Sequence, residues 1–259
     1  MQTVLFNETI FGPIKSRRLG TSLGVNLSPR DGKVCSFDCL YCEAGFNAQG
    51  KGSSGMPDRA TVARELETKL ANMKQHGEHL DVITFSGNGE PTVNPSFAEI
   101  IDDTLALRDK YFPDVKVSVL TNSTMLHSQR VMDALRKVDN CLLKLDSAID
   151  STIKTLDRPV NPSFKADDVI EKLACFGSSA IIQTMFTRGS HNGVTVDNTT
   201  PEEIDALIKA YKKIGPRQIT IYSLDRPSPE KSLQRVMPEE LAEIARHIKA
   251  ETGIDVIAV

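Results

Sequence analysis

Three of the five cysteines, Cys35, Cys39 and Cys42, fall inside the short stretch "KVCSFDCLYCEAGF" (33–46). Thiolates spaced so closely bind a metal ion, a metal cluster or each other. A structural zinc site is closed by four ligands, typically in paired short spacings. The other cysteines, Cys141 and Cys175, lie far downstream and read as small buried hydrophobes. A redox Cys-x-x-Cys pair explains Cys39 and Cys42 but leaves Cys35 idle. A four-iron cluster usually takes four thiolates. Three leave one iron with an open position, useless to a plain electron carrier and useful to a catalyst. The spacing favours the cluster over zinc.

Such a loop needs a scaffold. "DVITFSG" (81–87), "KVSVLTN" (116–122), "CLLKLDS" (141–147), "AIIQTMFT" (180–187) and "QITIYSL" (218–224) are short, β-branched and apolar, the pattern of buried parallel strands. Residues 24–37 supply a first strand, and "GIDVIAV" (253–259) a final one. Amphipathic helices alternate with them. One places Val62, Leu66, Leu70 and Met73 on a single stripe. A second opens on a capping box of Ser96 and Glu99. A third has Thr200 as N-cap, Pro201 in its first turn, Glu203 closing the box and Gly215 as its stop. The fold class is therefore α/β with parallel strands, an open sheet or a partial (β/α)6 TIM-type barrel. Ligands in either meet the C-terminal strand ends.

The chain of 259 residues has a net charge of −3, which gives no global footprint for nucleic acid. No apolar run approaches the roughly 20 residues that span a bilayer. The N-terminus lacks the basic start and apolar core of a signal peptide. An odd cysteine count argues against a disulfide framework, so a reducing cytoplasm is the expected setting.

Cys35-Ser-Phe-Asp-Cys39-Leu-Tyr-Cys42 resembles the CxxxCxxC loop of the radical S-adenosylmethionine (radical SAM) superfamily. "FSGNGEPT" (85–92) is similar to that family's Gly-rich segment after its second strand. The resemblance runs over residues 10 to 227 and implies a 4Fe-4S cluster on the three cysteines. It implies S-adenosyl-L-methionine (SAM) on the fourth iron, cleaved to a 5′-deoxyadenosyl radical that takes hydrogen from a substrate. That substrate could be a small molecule, a peptide or a protein, and a low-potential electron donor is required. One radical SAM domain over 1–259 is expected, with 1–30 as extension and first strand and 228–259 as a C-terminal helix and strand. The closest branch resembled is that of wyosine-synthase-like iron–sulfur oxidoreductases. No cysteine precedes Cys35, so that branch's second cluster, and tRNA as substrate, are not expected. A glycyl-radical-enzyme activating protein is the alternative, and a non-enzymatic iron–sulfur or zinc-binding protein the alternative from another class.

The resemblance also assigns residues. Gly87, Gly89 and Glu90 fall on the SAM amino site, and Tyr41 near the adenine. Asn122, Ser147 and Tyr222 end strands that reach SAM, and Gln183 shares with Met185 a strand face that lines its pocket. For Asn122 and Ser147, capping of the next helix is an equal alternative. Lys144 and Asp146 share one face of a strand. If that face is the barrel interior, they form a buried ion pair above the cluster. His191, in the polar loop 187–200, is a candidate proton relay on a substrate lid. Residues 43–56, rich in glycine, read as a mobile cover. The Arg17–Arg18 pair could bind an anion.

Overall fold

A computed structural model describes residues 4–16, 19–226 and 228–259. The elements run β1 (Ile10–Ser16), β2 (Gly20–Val25), α1 (Arg59–Gln75), β3 (Val82–Phe85), α2 (Phe97–Tyr111), β4 (Lys116–Thr121), α3 (Gln129–Leu135) and β5 (Asn140–Lys144). There follow α4 (Asp150–Leu156), α5 (Ala166–Ala174), β6 (Ala180–His191), β7 (Val194–Asp197), α6 (Pro201–Ile214), β8 (Gln218–Ser223), β9 (Gln234–Arg235), α7 (Pro238–Thr252) and β10 (Asp255–Ala258).

One sheet runs β1-β2-β3-β4-β5-β6-β8-β10. Every pairing from β2 to β10 along that path is parallel, and β1 is antiparallel at the β2 edge. The strands alternate with helices as right-handed βαβ units require, giving the expected partial TIM-type barrel.

Period-two alternation divides each strand between two environments. Ile83, Phe85, Val117, Val119, Cys141, Leu143, Ile182, Ile219 and Ile221 face the helices and join the main apolar core. Leu120, Leu142, Lys144, Ile181, Gln183, Met185 and Tyr222 line cavities on the concave side. The stripe on α1, Val62, Leu66, Leu70 and Met73, is buried as its spacing predicts. At about 25 cal/mol per Å², each such side chain stabilises the fold by roughly 2 kcal/mol. No helix among the described residues is long and apolar enough to cross a membrane.

Several expectations are corrected. Cys175, expected to be buried, is exposed. The first parallel strand is Gly20–Val25, not 24–37. Asn26 ends it, because its side chain accepts from Ser28 N at 3.0 Å in an Asx turn. The box at α2 does not form. Asn94 Oδ1 takes the Ser96 N–H at 2.9 Å, and Glu99 pairs with Arg130. At α6, Thr200 does accept from Glu203 N at 3.3 Å and Gly215 does end the helix left-handed at φ 63°. The Glu203 carboxylate, however, turns to Ser147 and Thr152.

The segment 187–200 is not a loop. Strand β6 leaves the barrel after Phe186, the last of its residues paired with β8 (to Ser223), and continues into a hairpin with β7. Asn192 (φ 50°) and Gly193 (φ 78°) form its two-residue turn. Asn-Gly between alternating residues is the sequence signature of this turn.

Candidate active site

The cysteine loop is folded by its own polar groups. Lys33, 3% exposed, donates from Nζ to Gly45 O at 2.7 Å and so ties the two ends together. Asp38 Oδ1 accepts from Asn47 N at 2.6 Å, and Asn47 Nδ2 donates to Phe37 O at 3.1 Å.

Two outside segments then grip it. On one side Asp38 N donates to Asp157 O (3.0 Å), Leu40 N to Leu156 O (2.9 Å) and Val160 N to Ser36 O (2.9 Å). Arg158 adds an ion pair to Asp38 at 3.1 Å. On the other side Val34 N donates to Asn88 O (3.2 Å) and Glu90 N to Val34 O (3.0 Å). Gly89 makes the second grip possible, since a Cβ there would lie 1.9 Å from Val34 O. The loop is strung between "GNGE" and "LDRP".

Cys35, Cys39 and Cys42 share the wall of one cavity of about 330 Å³ at the C-terminal strand ends. Tyr41, Gly87, Gly89, Glu90, Asn122, Lys144, Gln183 and Tyr222 line the same cavity. Arg226 and Glu43, also in the wall, pair at 2.7 Å and join the loop after β8 to the cysteine loop.

Glu90 is fully occupied. Its Oε1 accepts from Thr92 N (3.0 Å), Thr92 Oγ1 (2.5 Å) and Thr121 Oγ1 (2.7 Å), and its Oε2 from Asn122 N (2.6 Å). Burial raises its pKa, and these donors oppose the rise. The carboxylate therefore staples the end of β3 to the end of β4. Asn122, so held, points Nδ2 to Ser36 Oγ at 2.9 Å and to Cys35 Sγ at 3.6 Å.

Lys144 points into the barrel. Its Nζ lies 2.6 Å from Asp157 Oδ1, 3.3 Å from Asp146 Oδ2 and 3.0 Å from Cys39 Sγ. It also sits over the rings of Phe37 and Tyr41 at 5.0 and 4.8 Å. Burial alone would favour the neutral amine. Asp146, Asp157 and Cys39 outweigh it and hold the Lys144 pKa well above the usual lysine value. Burial lifts Asp146 to about 7, against the pull of Lys144. Asp146 also accepts from Tyr41 O–H and from Met185 N at 2.9 Å. The buried ion pair expected on the interior face is present, with Asp157 as a further member that strand periodicity did not reveal.

Other predicted residues lie elsewhere. Ser147 faces the helix layer, donating to Glu203 at 2.5 Å and accepting from Ile149 N at 2.9 Å; it neither lines the cavity nor caps α4, whose N-cap is Ile149 with no side-chain cap. His191 sits on the β6–β7 hairpin, 2.6 Å from Glu230, and does not line the cavity. Asp146 adjoins the cavity through Lys144 and Tyr41 without lining it. The cover expected over 43–56 contributes only Glu43 to the wall. Asp31 straps that segment down, accepting from N and Oγ of both Ser53 and Ser54 at 2.6 to 3.0 Å. These donors hold the Asp31 carboxyl well below the usual range. Arg17 and Arg18 lie outside the described residues.

The residues present fit a thiolate-bound cluster and a polar ligand. Burial pushes the Cys35 thiol up to about 11, with Glu90 adding to the rise, and raises Cys39 despite Lys144. Such thiols stay protonated near neutral pH until a metal displaces the proton. Among the described residues no three His, Cys, Asp or Glu groups converge on a single ion. In a cluster each thiolate meets its own iron, so no such convergence is needed. Gln183 Nε2 is buried in this wall with no partner, and an unmade hydrogen bond costs ~1–3 kcal/mol. It is a donor waiting for an acceptor.

A family model described as the radical SAM superfamily matches residues 31–187, from the cysteine loop to the end of the barrel part of β6. The chain is 27% identical over 256 residues to the GTPase Obg of Brachyspira hyodysenteriae, covering 97% of this chain and 35% of that protein. A radical SAM methyltransferase from Sphaerobacter thermophilus superposes with a TM-score of 0.66 at 14% identity, over 92% of this chain and 65% of the other. The structure of TYW1 with a lysine–pyruvate adduct bound superposes with a TM-score of 0.58 at 13% identity, over 90% and 74%. At those identities the two structures speak for the fold alone. The chain spans about a third of the first relative's length and about two thirds of the methyltransferase's. With more than half of its length under the family model, its cysteines at the CxxxCxxC spacing, the chain belongs to the radical SAM superfamily of enzymes, which use a 4Fe-4S cluster and S-adenosylmethionine.

Proposed function

We propose that Cys35, Cys39 and Cys42 each ligate one iron of a 4Fe-4S cluster, leaving the fourth iron to the amino and carboxylate groups of SAM. The observation that carries this reading is the convergence of all three cysteines, the "GNGE" segment and the ends of β4, β5, β6 and β8 on one cavity. When bound, a one-electron-reduced cluster and SAM would supply radical chemistry able to take hydrogen from a substrate.

The chain's own residues hold, orient and shield. Lys33, Asp38, Asn47 and Arg158 preform the loop, so ordering it costs little when the cluster enters. Gln183 Nε2 offers a donor to an acceptor atom of SAM or substrate. Leu120, Met185 and Phe37 give the cavity apolar wall that keeps water from a reactive intermediate. Tyr41, fixed by its hydrogen bond to Asp146, presents its ring toward the same space. The substrate enters from the open end, and a low-potential donor supplies the electron. The likeness to the wyosine-synthase branch rests on "FGPIKSRRLGTSLGVN" (11–26), "CSFDCLYC" (35–42), "SGNGEPT" (86–92) and "LDRP".

Anaerobic reconstitution followed by metal analysis and electron paramagnetic resonance (EPR) tests the ligand set. The wild-type chain is expected to bind iron and sulfide in equal amounts and to change its reduced spectrum when SAM is added. Zinc in place of iron, or a cluster that SAM leaves unperturbed, would contradict the proposal.

A further inference from the structure

Two of the three cysteine sulfurs have a side-chain donor from the barrel rim. Lys144 Nζ stands 3.0 Å from Cys39 Sγ, and Asn122 Nδ2 stands 3.6 Å from Cys35 Sγ. Neither donor belongs to the cysteine loop. Asn122 follows the end of β4 and Lys144 ends β5, two strands paired in parallel. Both donors are held from behind. Lys144 is clamped by Asp157 at 2.6 Å and Asp146 at 3.3 Å. Asn122 is held by Glu90 through its backbone N at 2.6 Å and by Thr124, whose N and Oγ1 donate to its Oδ1 at 3.1 and 2.8 Å. A long lysine side chain carries up to about 2 kcal/mol of rotamer freedom. Two carboxylates restricting that freedom beside one sulfur mark a built arrangement.

We propose that Lys144 and Asn122 are positioning residues that set the potential at which the cluster site takes up its electron, Lys144 through Cys39 and Asn122 through Cys35. The inference rests on the reading of those cysteines as cluster ligands. Uptake adds one electron from a low-potential donor and one negative charge, with no bond made or broken and no proton moved. Cluster potentials respond to net charge and to hydrogen bonds on the sulfurs, and groups behind the ligands tune a metal site. An ammonium is a compact positive charge. Placed against a ligand sulfur, it stabilises the more negative, reduced state. A neutral amide donor acts in the same direction and more weakly. Removing Lys144 also leaves Asp146 and Asp157 without their cation, which disfavours the added charge further.

The test is a redox titration, read by EPR without SAM, of anaerobically loaded wild type, Lys144→Met, Lys144→Arg, Asn122→Leu and the double variant Lys144→Met/Asp157→Asn. At the wild-type midpoint, the reduced-to-oxidised ratio is expected to fall at least tenfold in Lys144→Met, which is about 59 mV for a one-electron couple. It should fall by less in Asn122→Leu and recover most of the loss in Lys144→Arg. If Lys144→Met does not hold a cluster, the double variant, with one uncompensated carboxylate removed, decides by the same tenfold criterion. A cluster of unchanged midpoint in the Lys144 variants overturns the inference. Weakened SAM binding at an unchanged midpoint overturns it too, by making Lys144 a SAM contact instead. Failure of the wild type to load any cluster overturns the proposed function, and metal analysis of the wild type alone tells that outcome apart.

Discussion

At the residue scale, five cysteines divide into three that face the cavity and two that do not. Replacing Cys35, Cys39 or Cys42 by Ala is expected to abolish cluster binding. Cys141→Ala is expected to leave iron and sulfide content unchanged, because that side chain packs among the helix-facing apolar residues. Asp146 gives a pH prediction. Its pKa is raised from an ordinary carboxyl value to about 7, so the folded chain holds that proton more tightly than the unfolded chain. Its contribution to stability is therefore greatest at low pH and falls as pH rises from about 4 toward about 7. The stability of Asp146→Asn relative to wild type, from urea unfolding of the metal-free chains, should increase from about pH 5 to about pH 8. A constant difference would contradict the assignment. The cysteine spacing and the shared face of Lys144 and Asp146 were legible from one-dimensional spacing, since strand periodicity fixes which residues share a side; that this side is the barrel interior was not. Asp157 was not, because it follows a short helix and reaches the site only through tertiary packing. Ser147 shows the converse. A polar residue after a strand looks the same whether it faces the ligand side or bonds into the helix layer, as Ser147 does to Glu203.

At the element scale, the apolar strands and the stripe on α1 were legible because burial on a fixed face imposes a period. Leu66, completely buried on that stripe, offers a direct check. Leu66→Ala should destabilise the fold by about 2–5 kcal/mol in chemical denaturation. The first strand and the β6–β7 hairpin were harder to place. Asn26 closes β2 with a side-chain hydrogen bond, a local interaction that competes with strand continuation and carries no periodic trace. The hairpin did carry a trace, the Asn192-Gly193 pair, but its polar strands resembled a loop. The cysteine loop depends on contacts far apart in sequence, above all the bonds from 156–160 to 36–40. Asp38→Ala would free Asn47 N and unpair Arg158. It is expected to leave the fold intact while making the loaded cluster dissociate several-fold faster under a chelator, followed by loss of cluster absorbance. Unchanged release would mean that the backbone bonds suffice.

At the scale of the whole molecule, the curled sheet brings the ends of β3, β4, β5, β6 and β8 around one cavity, and the loop after β2 delivers three thiols to it. Placement at the C-terminal strand ends follows from βαβ handedness, which is why the site's location could be anticipated before its contacts. Lys144 and Gln183, paired across β5 and β6, sit side by side in its wall. The central claim is that this arrangement makes an enzyme that cleaves SAM reductively. The most direct measurement is chromatography of anaerobic mixtures of cluster-loaded protein, SAM and a low-potential reductant. The account predicts 5′-deoxyadenosine and methionine in equal amounts, lost in Cys39→Ala. Intact SAM alongside a fully reduced four-iron cluster would contradict it.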